Sequence, residues 1–129
     1  MIRRYVFDTG ALIGAEKRKQ RALDYLALAA SGRAQIVTPV VCLLEWWRGR
    51  TDAREKLLAG ISIEPLSVAA AKTAGEALAG VNKGIDAKRS IDAAVAAHAS
   101  LSGAPVITSD PDDFEELRRF FPGLRILAL

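Results

Sequence analysis

The sequence predicts an α/β domain: a mostly parallel sheet with helices covering both faces. Three observations carry that expectation. Short apolar runs of strand length recur along the 129 residues. They alternate with helical stretches instead of clustering, the pattern of successive βα units. Residues that start or stop helices (Thr, Ser, Pro, Gly) stand at nearly every junction.

The elements follow in order. Ile2 to Phe7 reads as a buried strand broken by Thr9 and Gly10, with a short helix from Ala11 to about Glu16. The basic cluster Lys17-Arg18-Lys19-Gln20-Arg21 leads into a helix through Leu28, closed by Ser31-Gly32. Gln35 to Val37 is a second strand. Thr38 then has the chemistry of an N-cap, with Pro39 at the first helical position, for a helix through Glu45 that Gly49 ends. Thr51 caps a helix through Leu58 and Gly60 closes it. Ile61 to Pro65 is a third strand, and Ser67 opens an alanine-rich helix to about Val81. The segment 82–89 is polar and reads as a loop, after which Ser90 caps a helix that Gly103 ends. Pro105 to Ser109 is a fourth strand, Pro111 to Arg119 a helix, and Leu124 to Leu129 a last strand. With no repeat, low-complexity linker or second composition, residues 1–129 are expected to form one domain.

The composition excludes several classes. Hydrophobic residues make up 50% of the chain, but no run approaches the roughly 18 apolar residues of a membrane span. The start lacks a secretory apolar region, so a soluble, cytoplasmic protein is expected. Cys42 is the single cysteine, which excludes an intrachain disulfide and a cysteine-based zinc site within one chain; it reads as a small buried hydrophobe. No Gly-Lys-Ser/Thr phosphate loop or dinucleotide fingerprint appears, and the acid that a phosphoacceptor or haloacid-type hydrolase would place near Asp8 is replaced by Thr9 and Gly10.

Four carboxylates stand out. Glu45 is the lone charge in Val40-Val41-Cys42-Leu43-Leu44-Glu45-Trp46-Trp47, so burial would demand a cationic partner or a site that protonates it. Asp8 ends the first strand, Asp92 opens the nearly uncharged helix Ile91 to Ala97, and Asp110 follows the fourth strand. Strand ends and helix starts are where parallel sheets build sites. Two carboxylates about 5 Å apart repel by roughly 3 kcal/mol at an effective dielectric near 20, so a cluster of four needs cations. Magnesium or manganese suit such oxygen donors and support phosphodiester hydrolysis. With these four set aside, 11 acids face 18 bases, a net of +7, which suits a polyanion held around an acidic pocket. Plainer readings stand beside each. Asp8 can form a strand-end turn, Asp92 can complement a helix dipole, Asp110 can be an N-cap with Asp113 completing a capping box, and Glu45 can pair with Arg48 on a helix surface.

Taken together, the segments Tyr5 to Ile13, Thr38 to Glu45, Ser90 to Ala99 and Val106 to Phe114 resemble the PIN-domain ribonucleases, particularly the toxin subunits of VapBC-type toxin–antitoxin pairs. The resemblance implies a five-stranded parallel sheet, a Mg²⁺-dependent endoribonuclease site, a homodimer and a small inhibitory antitoxin. It also implies that Asp8, Glu45, Asp92 and Asp110 are the catalytic, metal-binding acids, with Asp8 and Asp92 as direct ligands. Thr108 matches the family's hydroxyl near the last acid, and Asp113 a position acidic in some members. A catalytically silent PIN-like RNA- or protein-binding module is the alternative, and it would be marked by a missing acid.

His98 reads as a structural histidine near a helix end. Trp46 and Trp47 cannot share one helix face, so one of them is expected at an interface. Lys17, Arg18, Lys19 and Arg21, and Lys83, Lys88 and Arg89, either flank the site or form solvated loops.

Overall fold

In the computed structural model, which describes residues 2–81, 84 and 86–129, the first apolar run becomes strand β1 (Arg3–Phe7) and the chain turns at once into helix α1 (Thr9–Glu16). Helix α2 (Gln20–Ala30) follows, then β2 (Ala34–Pro39), α3 (Val40–Trp46), α4 (Asp52–Ala59) and β3 (Ser62–Glu64). The chain continues through α5 (Val68–Ala79), α6 (Ala87–Ser102), β4 (Val106–Thr108), α7 (Pro111–Glu115), a 3₁₀ turn over Glu116–Arg119, and β5 (Ile126–Ala128). All pairings are parallel, in the order β3-β2-β1-β4-β5. No helix of the described residues is long and apolar enough to cross a membrane.

The strand order dictates the layers. The chain steps outward from β1 through β2 to β3, then returns across the sheet to β4 and β5. Right-handed crossovers therefore put α1 to α4 on one face and α5 to α7 on the other. The direction of winding reverses between β1 and β4, and a crevice opens beyond the carboxyl ends of those two strands. Phe7, Leu12, Ile36, Val95, Ile107 and Phe114 fill the buried core on both sides. Buried Ala93, Ala96 and Ala97 on α6 and Ala70, Ala74 and Ala77 on α5 keep those helices slim enough to pack closely.

Two caps differ from the sequence expectation. Thr38 is fully buried within β2 instead of capping α3, and its hydroxyl donates to the Phe7 carbonyl at 3.1 Å. Pairing with β3 carries β2 on through Pro39, which lies opposite Glu64. Likewise Ser90 is inside α6. The cap is Asp86, whose carboxylate accepts from the Arg89 amide at 2.8 Å, and the strong helix formers Ala87, Lys88 and Arg89 fill the first turn. Part of the expected 82–89 loop, Lys83 included, lies outside the described residues.

Arg18, between α1 and α2, adopts a left-handed conformation with φ of 61°. It sits in a complete Schellman turn: the Arg18 amide donates to Ala15 O at 3.0 Å and the Lys19 amide to Gly14 O at 2.9 Å. A side chain there carries a steric cost that glycine avoids. Arg18→Gly is expected to raise stability by roughly 0.5–1 kcal/mol, readable in urea unfolding; a loss would mean that the Arg18 side chain makes a compensating contact.

Candidate active site

Asp8 leaves β1 at its carboxyl end. Its amide donates to Ile107 O at 3.3 Å, and its Oδ1 accepts from the Ala11 amide at 2.8 Å, capping α1. The strand-end turn foreseen for this residue is real, yet capping occupies one oxygen of a carboxylate that is only 7% exposed. Beside it, the hydroxyl of buried Thr108 at the end of β4 favours the charged form of the Asp8 carboxylate and accepts from the Asp110 amide at 3.0 Å. Thr108 thus couples the two strand-end acids. Asp110 is exposed and its side chain makes no cap bond, so the capping box with Asp113, the plainer alternative for this residue, does not form.

Asp92 projects from the second turn of α6, past the first-turn position that the dipole reading required. Its side chain is 17% exposed, with the Lys88 ammonium 3.7 Å away at the i,i+4 position. Lys88 also pairs with Asp113, and this contact holds the lysine more firmly protonated than usual. Glu45 is half-buried, and among the described residues none of the ion pairs includes it. Arg48, its foreseen partner, donates instead to the carbonyls of Trp47 at 2.6 Å and Leu44 at 3.4 Å.

Asp8, Glu45, Asp92, Asp110 and Asp113 all line one crevice of about 450 Å³ at the switch point, together with Lys17, Lys19 and Lys88. The floor comes close to the acids at Gly10, where a Cβ would meet the Ser109 Oγ at 2.3 Å and Asp8 Oδ1 at 3.3 Å. Burial pushes the Asp8 carboxyl up to about 6; Thr108 and the Ala11 amide oppose that shift, while Asp110 adds to it. Burial likewise raises Asp92 to about 7, against Lys88 and with help from Asp113, Asp8 and Glu45. Their field effects on one another mark the acids as one electrostatic unit.

The donor chemistry fits a hard divalent cation: several carboxylates, no thiolate or imidazole, and two acids whose burial resists ionisation without added positive charge. Among the described residues no three such side chains converge tightly enough, as placed, to grip an ion. Lys88 supplies the positive charge between Asp92 and Asp113.

Other expectations resolve away from the crevice. Cys42 is buried and its thiol is pushed up to about 12 by that burial, as suits a core residue. His98 bonds Glu64 at 2.8 Å, and Glu64 also takes Arg4 at 2.6 Å; the histidine is structural, though its partners were not foreseen. Trp46 is 5% exposed with its indole N–H on Glu16 at 3.2 Å, so it cannot anchor a partner. The outward face of α3 instead carries Val40 and Leu44, the latter 77% exposed.

Comparisons with known proteins agree with this fold. The family model described as PIN domain matches residues 5–119. The fold is similar to VapBC2 from Rickettsia felis, solved bound to a DNA fragment from its promoter (19% identity, 98% of each chain covered, TM-score 0.69). It is also similar to DNA-bound VapBC from Salmonella typhimurium (22% identity, 99% of this chain and 98% of that one, TM-score 0.69). VapBC-5 from Mycobacterium tuberculosis, a member of the VapBC family of toxin–antitoxin systems, matches at 26% identity over 98% of each chain with a TM-score of 0.60. No curated protein matches the chain significantly.

Proposed function

This chain belongs to the PIN-domain family, and from that premise we propose that it is a Mg²⁺-dependent endoribonuclease, the cytoplasmic toxin of a toxin–antitoxin pair, active as a homodimer and neutralised by a small antitoxin. The observation that carries the reading is the single crevice at the switch point of the sheet that Asp8, Glu45, Asp92 and Asp110 all line. Likeness to the VapBC structures supports the toxin and its partner.

Asp8 and Asp92 are the residues to hold Mg²⁺, with Mn²⁺ as a substitute, and Glu45 and Asp110 complete the donor set. The bound ion would lower the pKa of water and neutralise charge on the scissile phosphate. The chain's own groups do the rest. Thr108 favours the charged form of Asp8 and holds the Asp110 backbone, while the Ala11 amide fixes one Asp8 oxygen. In the metal-free protein burial favours the protonated forms of Asp8 and Asp92, so an ion bound there would displace their protons. Lys88 favours the anionic form of Asp92 and pairs with Asp113, which has an accessory role through that lysine. A silent binding module is the weaker reading, since none of the four acids is replaced.

The purified protein should cleave single-stranded RNA in Mg²⁺ or Mn²⁺, stop on addition of EDTA, and stop again when its antitoxin is supplied. Light scattering on the same sample should give a dimer. Cleavage that persists in EDTA would reject the metal-dependent mechanism, and a monomer at every concentration would reject the assembly.

A further inference from the structure

We propose that Lys17 and Lys19 form a phosphate clamp that positions RNA across the acidic crevice, an inference that rests on the ribonuclease reading above. Of the basic cluster that opens α2, only these two line the crevice. Arg21 faces a separate cleft with Asp24, Tyr25 and Leu28. Among the described residues neither Lys17 nor Lys19 belongs to an ion pair, so both line the crevice of the carboxylates without being neutralised by them. Lys88 performs that neutralisation from the other wall.

The local sequence shows that this placement is costly. Arg18 occupies the left-handed position where glycine is the default, and Lys19 stands at the N-cap of α2, where it makes no side-chain cap bond and puts a cation at the positive end of a helix. Two adjacent violations of helix-end chemistry at the lip of the candidate site are what function leaves behind when it overrides stability. The Schellman turn brings Lys17 and Lys19 to the same crevice. Free ammonium groups beside hard acids suit an extended phosphodiester, which brings one negative charge per nucleotide and meets lysine as a point charge. The acids repel that chain at the centre, so cations at the rim are needed to hold it.

The test separates binding from cleavage. Single-stranded RNA is titrated by fluorescence anisotropy over a salt series with protein carrying Asp92→Asn to suppress turnover, alone and combined with Lys17→Gln/Lys19→Gln, with Lys17→Arg/Lys19→Arg, or with Arg21→Gln. The glutamine pair should weaken binding and lower the log–log salt slope by about 1.4, roughly 0.7 per lost contact on a single strand. The arginine pair should keep both, and Arg21→Gln should change neither. In an otherwise native enzyme the glutamine pair should raise KM with little change in kcat. Equal affinity and slope for the glutamine pair and its parent would overturn the clamp even if the native protein cleaves RNA, and so would a parent that binds no RNA at low salt. Lysine-dependent binding by a protein that never cleaves would uphold the clamp and reject the ribonuclease reading alone.

Discussion

Asp92→Asn should reduce RNA cleavage at least a hundredfold, the low end for losing a group that acts at the reacting centre, while the metal-free protein melts no lower than its parent. The two halves come from one fact. Burial and three neighbouring acids oppose ionisation of Asp92, so in the absence of metal its charge destabilises the fold. Asparagine keeps the shape and removes the charge. If Asp92 merely complemented a helix dipole, the same change would leave cleavage intact and cost roughly 0.3–1 kcal/mol. Asp92 is the better test than Asp8, because Asp8 also caps α1 and its replacement mixes site and helix effects. An active, slightly destabilised Asp92→Asn protein would remove this residue from the site.

Much of the site was legible because it hangs on strand ends. The apolar runs fix where β1 and β4 stop, and Asp8 and Asp110 are the first acids beyond them. Glu45 was conspicuous because its neighbours are apolar, yet among the described residues no ion pair includes it; it lines the crevice shared with the other acids. Local signals failed where two residues competed for one task. Asp86 and Ser90 are both good caps, and only packing of the extra turn decides between them. Thr38 has N-cap chemistry, but pairing of β2 with β3 claims its backbone first. The choice of Asp86 matters for function, since it winds Lys88 into α6, one turn from Asp92. No one-dimensional signal joins Glu64 to His98 and Arg4, because a carboxylate and an imidazole 34 positions apart meet only through the sheet and its covering helix. Trp46 illustrates the same limit: Cys42 and Trp46 turn inward together, and the adjacent Val40 and Leu44 are left facing out.

The metal-free protein should lose stability as pH rises from 4 to 8, and saturating Mg²⁺ should reverse most of that loss. The sign follows from the two raised carboxyls. In the unfolded chain both titrate near 3.8, whereas in the fold Asp8 is held to about 6 and Asp92 to about 7. Below 3.8 both states are protonated and neither residue affects the balance. Between 3.8 and the folded values the native state holds more protons than the unfolded one, so each increase in pH favours unfolding. Above about 7 the full penalty is present, roughly 3–4 kcal/mol per group at about 1.36 kcal/mol per pKa unit, less where the two acids share one interaction. A cation bound only by the native state opposes this by mass action and displaces the same protons, so its stabilising effect should grow with pH over the same window. Thermal melts in EDTA and in Mg²⁺ across pH 4–8, run beside Asp92→Asn, read the effect directly. The variant should show a shallower loss and a smaller response to Mg²⁺. A parent whose melting temperature climbs from pH 5 to pH 8 in EDTA would contradict the buried, mutually repelling acids on which the proposed chemistry depends.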